Sequence, residues 1–107
     1  MGHFADTTAL GQFAAEKMKK NNLFTTDRLF CDVYCFEPGQ EQTPHAHAGS
    51  DKIYFVLEGA ADIRIGDETR RLEAGCIAHA PPGVAHGVVN PGPGRLALLV
   101  FMAPKPA

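Results

Sequence analysis

Apolar and polar positions along this chain change in short runs broken by glycine and proline, and those runs read as strands. Leu29 to Phe36 forms the first clear strand, ended by Pro38-Gly39. Pro44 to His47 begins another, and after Gly49-Ser50 the strand pattern continues from Lys52 to Leu57, with Glu58-Gly59 as a turn. Ala61 to Ile65 and Thr69 to Leu72 flank Gly66-Asp67-Glu68, a hairpin signal. Its first arm sets Ile63 and Ile65 on one face and Asp62 and Arg64 on the other. Gly75 to Ala80, His86 to Val89 and Leu96 to Met102 complete roughly eight to ten short strands. Pro91-Gly92-Pro93-Gly94 is a turn that cannot join a central ladder. The N-terminal part is less regular. Asp6, Thr7 and Thr8 can cap a helix, and Ala14 to Met18 has helical propensity, so one or two helical turns are expected there. A strand near Met18 to Thr25 and a turn at Thr26-Asp27-Arg28 follow, and the tail APKPA is expected to be loose.

Composition narrows this picture to an all-β sandwich or barrel. A chain of 107 residues is enough for one domain with one core. Its 11 glycines and 8 prolines fit many short strands joined by turns. The formal net charge of -2 and the lack of a basic stripe argue against a nucleic-acid partner. No apolar run approaches membrane-spanning length, and the N-terminus lacks the basic start and apolar stretch of a signal peptide. The expectation is a cytoplasmic protein without a membrane partner. Cys31, Cys35 and Cys76 are an odd set with no Cys-x-x-Cys spacing, which argues against a disulfide scaffold. Cys31 and Cys35 share a strand face with Val33 and read as small core residues.

The candidate chemistry lies in the histidines. His45 and His47 are one residue apart, so on a strand both rings face the same way. His86 follows some forty residues later, behind the stiff turn Pro81-Pro82-Gly83. Three imidazoles converging in a small β domain suit a divalent transition metal. Gln42 and Thr43 are placed to support an imidazole from behind. His79 either lines the same pocket or is an ordinary edge residue, and His3 lies near the terminus.

These residues resemble the cupin family in two motifs. Gly39, His45, His47, position 52 and Gly59 match the spacing of its first motif. Gly75, Pro81, Gly83, His86 and Asn90 match every position of its second. The resemblance implies a single domain over residues 1–107, built as an antiparallel jelly-roll barrel of six to eight strands. It also implies positive φ or close chain approach at Gly39, Gly59, Gly75 and Gly83.

The motif breaks at position 52, where the family's usual metal-binding glutamate is replaced by Lys52. Three arrangements follow. Lys52 turns away toward Asp51 or Glu58 and leaves a three-histidine site. Asp51 reaches in as a fourth ligand through a bulge. Or no metal binds, and the histidines are hydrogen-bonding pocket residues. The expected cofactor is Fe, Zn, Mn or Ni, held by His45, His47 and His86. Some cupin dioxygenases likewise use three histidines and no carboxylate. The implied function is an enzyme on a small organic molecule, either dioxygenase-like or a Lewis-acid isomerase or decarboxylase. Lys52 and Tyr54, which share a strand face, are its candidate catalytic residues. The alternatives are a sugar- or metabolite-binding module, and a metal-free enzyme using a Lys52 Schiff base. Phe30, Phe36, Ile53, Phe55, Leu57, Leu98, Leu99 and Phe101 supply a core and a sheet face for an expected homodimer.

Overall fold

The computed structural model describes residues 2–106. A short helix α1 (Thr7–Leu10) precedes strands β1 (Lys19–Thr25), β2 (Phe30–Phe36), β3 (Glu41–His45) and β4 (Asp51–Glu58). Then come β5 (Ala60–Ile65), β6 (Glu68–Glu73), β7 (Ile77–Ala80), β8 (His86–Val89) and β9 (Leu96–Ala103). One antiparallel sheet has the order β1-β2-β9-β4-β7 and the other β3-β8-β5-β6. Their inner faces meet as a jelly roll, as the sequence pattern implies.

Alternation decides what enters the barrel. From the five-stranded sheet, Tyr34, Phe36, Tyr54, Val56, Leu96, Leu98 and Val100 point inward and are fully or nearly fully buried. Ala61, Ile63 and Val88 answer from the other sheet. Burying each large apolar side chain contributes about 1.5–3 kcal/mol, so this set fixes the register. A one-residue slip of β4 would expose Tyr54 and Val56 together. The same register carries Lys52 inside, where it is 1% exposed. Lysine does not turn away toward Asp51 or Glu58, because the apolar residues beside it on β4 hold the strand the other way.

The outer face of the five-stranded sheet carries a second cluster of Leu23, Val33, Cys35 and Ala97, with Phe13, Leu57 and Leu99 packed on it. Cys31 and Cys35 therefore do share the Val33 face, as core residues. Arg95 lies over the Phe13 ring at 4.3 Å and pairs with Glu37 through two 3.0 Å bonds. This ties the N-terminal segment down.

Asp6 caps α1 as expected, its carboxylate accepting from the Thr8 and Ala9 amides. Ala14 to Met18 is not helical, however. The Ala14 and Ala15 carbonyls accept instead from the Gln40 side chain, so tertiary contact overrides local propensity. All four motif glycines have positive φ. At Gly59 the requirement is also steric, since a Cβ there would collide with the Arg95 carbonyl. Among the described residues, no helix is long and apolar enough to cross a membrane.

Candidate metal centre

His45 ends β3 and pairs in register with His86, the first residue of β8. The strand here lies before the histidines rather than running on from them, and His47 falls just past its end. The His47 carbonyl accepts from the Gly83 amide at 2.8 Å, which pins this loop to the Pro81-Pro82-Gly83 turn. The three ring centres are 4.4 to 5.6 Å apart. One ligand nitrogen from each ring lies within 4.8 Å of the others.

Two of the rings are oriented from behind. His45 Nδ1 donates to the Thr43 carbonyl at 2.9 Å, and His86 Nδ1 donates to the Val84 carbonyl at 3.0 Å. A carbonyl oxygen only accepts, so each Nδ1 carries the hydrogen and each Nε2 keeps a free lone pair. His86 Nε2 is buried with no hydrogen-bond partner among the described residues. A buried unpaired acceptor costs about 1–3 kcal/mol, which a bound ion would remove. Burial pushes the His86 pKa down to about 4, helped by Lys52, His45 and His47 and opposed by the Val84 contact. His47 is lowered too, first by burial and then by His45, Lys52 and Lys20. Neutral imidazole is the metal-ligating form. Nitrogens about 2.0–2.1 Å from a common tetrahedral ion stand about 3.4 Å apart, so the rings must draw together by about an ångström to hold one. The donor set fits a divalent transition ion.

Lys52 stands on the facing wall. Its ammonium lies 5.2 Å from the centres of both the Tyr34 and Tyr54 rings. Aromatic faces partly replace the lost water. Burial still lowers its pKa to about 7, with Lys20 adding to the shift and Asp32 opposing it. Between these walls lies a cavity of about 470 Å³, lined by Lys20, Tyr34, Gln42, His45, His47 and Lys52 among others.

Asp51 is not a fourth ligand. It points to the outer face of β4, half exposed, and its carboxylate meets His79 Nε2 at 2.7 Å. The same contact takes His79 away from the cavity, as an edge residue. Tyr54 is fully buried and its hydroxyl donates to Gln42 Oε1 at 2.9 Å. It therefore acts on the site through Gln42 and offers no free hydroxyl. Gln42 holds Tyr54 rather than an imidazole, whereas Thr43 supports His45 as expected, through its backbone. Lys20 and Asp32 were not legible as site residues. The available signal was a lone aspartate inside the apolar run LFCDVYCF, since an unpaired carboxylate is rarely buried. Asp32 is 8% exposed and accepts from Asn22 at 2.8 Å, while burial raises its pKa.

Known proteins share this architecture. SCO3923 of Streptomyces coelicolor is 32% identical over 101 residues, covering 94% of this chain and 86% of its own. TcmJ of Streptomyces glaucescens, a tetracenomycin polyketide synthase protein, is 33% identical over 72 residues. That match covers 64% of this chain and 48% of TcmJ, about half its length. The crystal structure of TT1209 from Thermus thermophilus superposes with a TM-score of 0.95 at 41% identity, covering 98% of this chain and 100% of that one. The cupin-domain family model matches residues 32–102. With both histidine motifs inside that span, the chain belongs to the cupin family.

Proposed function

We propose that this cupin is a metal-dependent enzyme that moves protons on a small carbonyl-bearing molecule, with His45, His47 and His86 holding Fe, Zn, Mn or Ni. The observation that carries this reading is Lys52, buried in the cavity wall with its pKa near 7. A bound divalent ion supplies Lewis-acid polarisation of a carbonyl oxygen. The remaining work falls to the chain itself. Neutral His47 and His86 present lone pairs at pH 7 without first losing a proton. Lys52 Nζ, seated against two tyrosine rings, accepts or donates a proton near neutrality, where acid–base catalysis is most effective. Tyr54 and Gln42 brace each other behind it. A cavity of about 470 Å³ suits a small organic molecule.

Protein purified without chelator or metal-affinity tag should carry near-stoichiometric divalent metal by plasma mass spectrometry. In D₂O, the loaded protein should exchange the C3 hydrogens of 2-oxobutyrate. Lys52→Met should slow that exchange by about 10²-fold or more while keeping the metal. Failure to take up any of the four ions overturns the reading, as does unchanged exchange in Lys52→Met. Oxygen consumption by the iron form without exchange would move the chemistry to a dioxygenase-like reaction. Ligand binding without turnover would make the protein a binding module.

A further inference from the structure

The wall facing the imidazoles holds a second ammonium group that proton transfer does not use. Lys20, on β1, is the register partner of Tyr34 on β2, and its Nζ lies 5.3 Å from the Tyr34 ring centre. Lys52 Nζ lies 5.2 Å from the same centre. Two cations thus share one ring at the edge of one cavity. Among the described residues, those that line this cavity include no carboxylate. Asp32 acts on Lys52 from a position outside that lining, with Oδ1 already accepting from Asn22. In a chain of net charge -2, this mouth is locally positive. Lys20 is solvent-exposed and Lys52 is buried, so the positive charge runs from the rim inward.

Gln42 gives an independent indication. It lines the cavity, is 8% exposed, and its Oε1 is taken by the Tyr54 hydroxyl. Its amide Nε2 is buried with no hydrogen bond of good geometry among the described residues, and the Gln42 side chain acts only weakly on the Tyr34 hydroxyl, opposing the rise that burial causes in its pKa. Leaving such a donor unpaired is costly. A cationic ligand would be repelled here. A neutral acceptor would satisfy Gln42 and leave Asp32 alone to balance two ammonium groups. A carboxylate satisfies both, through charge-assisted hydrogen bonds.

We infer that the cavity selects organic carboxylates, with Lys20 and the Gln42 amide gripping a substrate carboxylate while its other oxygen-bearing end faces His45, His47 and His86. The orientation rests on the metal reading above; the charge preference does not. Lys20 is then a specificity-determining residue, separate from Lys52.

Malonate and its neutral diamide, malonamide, test this by titration calorimetry on metal-free and zinc-loaded protein. Malonate should bind at least about tenfold tighter than malonamide, and Lys20→Gln should remove about tenfold of that affinity. Lys20→Arg should restore it, and malonamide binding and zinc content should not change in either variant. Equal binding of the two probes, absence of malonate binding, or unchanged malonate affinity in Lys20→Gln would overturn the inference. A Lys20-dependent preference for malonate in protein that takes up no zinc would uphold carboxylate selection and remove the metal reading. Zinc uptake without that preference would do the reverse.

Discussion

The two faces of the five-stranded sheet treat neighbouring residues of β4 in opposite ways. On the outer face Asp51 and His79 form a half-exposed hydrogen-bonded pair beside Ile53, Phe55 and Ile77, and solvent can screen or replace every polar contact. On the inner face Lys52 and Tyr54, with His86 opposite them on the four-stranded sheet, are 0 to 2% exposed, and each polar group must be satisfied by the protein or by a ligand. Titratable groups on both faces look alike in sequence. Desolvation depresses the basic pKa values of Lys52 and, across the barrel, His86. A carboxylate that would suit a metal stands outside, and a lysine that would repel one stands inside.

The strongest way to break this comparison is to remove an inner ligand. His86→Ala should lower metal affinity by about 100-fold or more, since it deletes one of three donors and leaves its partners' lone pairs intact. Metal content after dialysis measures this. Asp51→Asn should leave metal content unchanged; a loss there would return Asp51 to the ligand set.

Replacing the buried cation should have the next largest effect. Lys52→Met keeps the side-chain length and removes the desolvation cost, so stability at pH 6 should rise by about 1–4 kcal/mol, read by urea melts. Lys52→Glu should tighten metal binding by restoring the family's carboxylate. Looser binding in that variant would show that Lys52 serves structure or substrate rather than opposing the ion.

The pH dependence sharpens the same contrast. His86 has a folded pKa of about 4 against an ordinary 6.5, so the unfolded chain binds its proton first as pH falls. Its contribution to stability is complete above pH 6.5 and is lost toward pH 4, on the order of 3 kcal/mol. For Lys52 the folded value is about 7 against 10.5, so stability should rise as pH climbs from 7 to 10.5. That upper slope should vanish in Lys52→Met. Metal-free protein followed by thermal melts across these ranges checks both signs. The smallest effect belongs to the outer face, where His79→Ala should change stability by less than about 0.5 kcal/mol because the pair is exposed.

Much of this molecule was legible because the chemistry is local. Strand alternation gave Tyr54 the face of Lys52, the capping residues gave α1, and the glycine positions gave turns with positive φ. The two histidine motifs gave a three-imidazole cluster, since their spacing is set by turns that proline and glycine stiffen. The illegible parts depend on distant chain segments. Ala14 to Met18 has helical propensity, but Gln40 claims its carbonyls from 25 residues away. Asp51 and Lys52 are adjacent, and which of them enters the site depends on the register shared by β4, β7 and β9.

By itself the sequence determined the strands, the family and the identity of the three imidazoles, because periodicity and turn chemistry act over a few residues. Tertiary structure alone decided that Lys52 is buried, that Lys20 and Tyr34 face each other, and that Gln42 has an unpaired amide. Those facts arise from packing between strands far apart in the chain, where the burial of Tyr54 and Val56 outweighs the cost of desolvating one ammonium group.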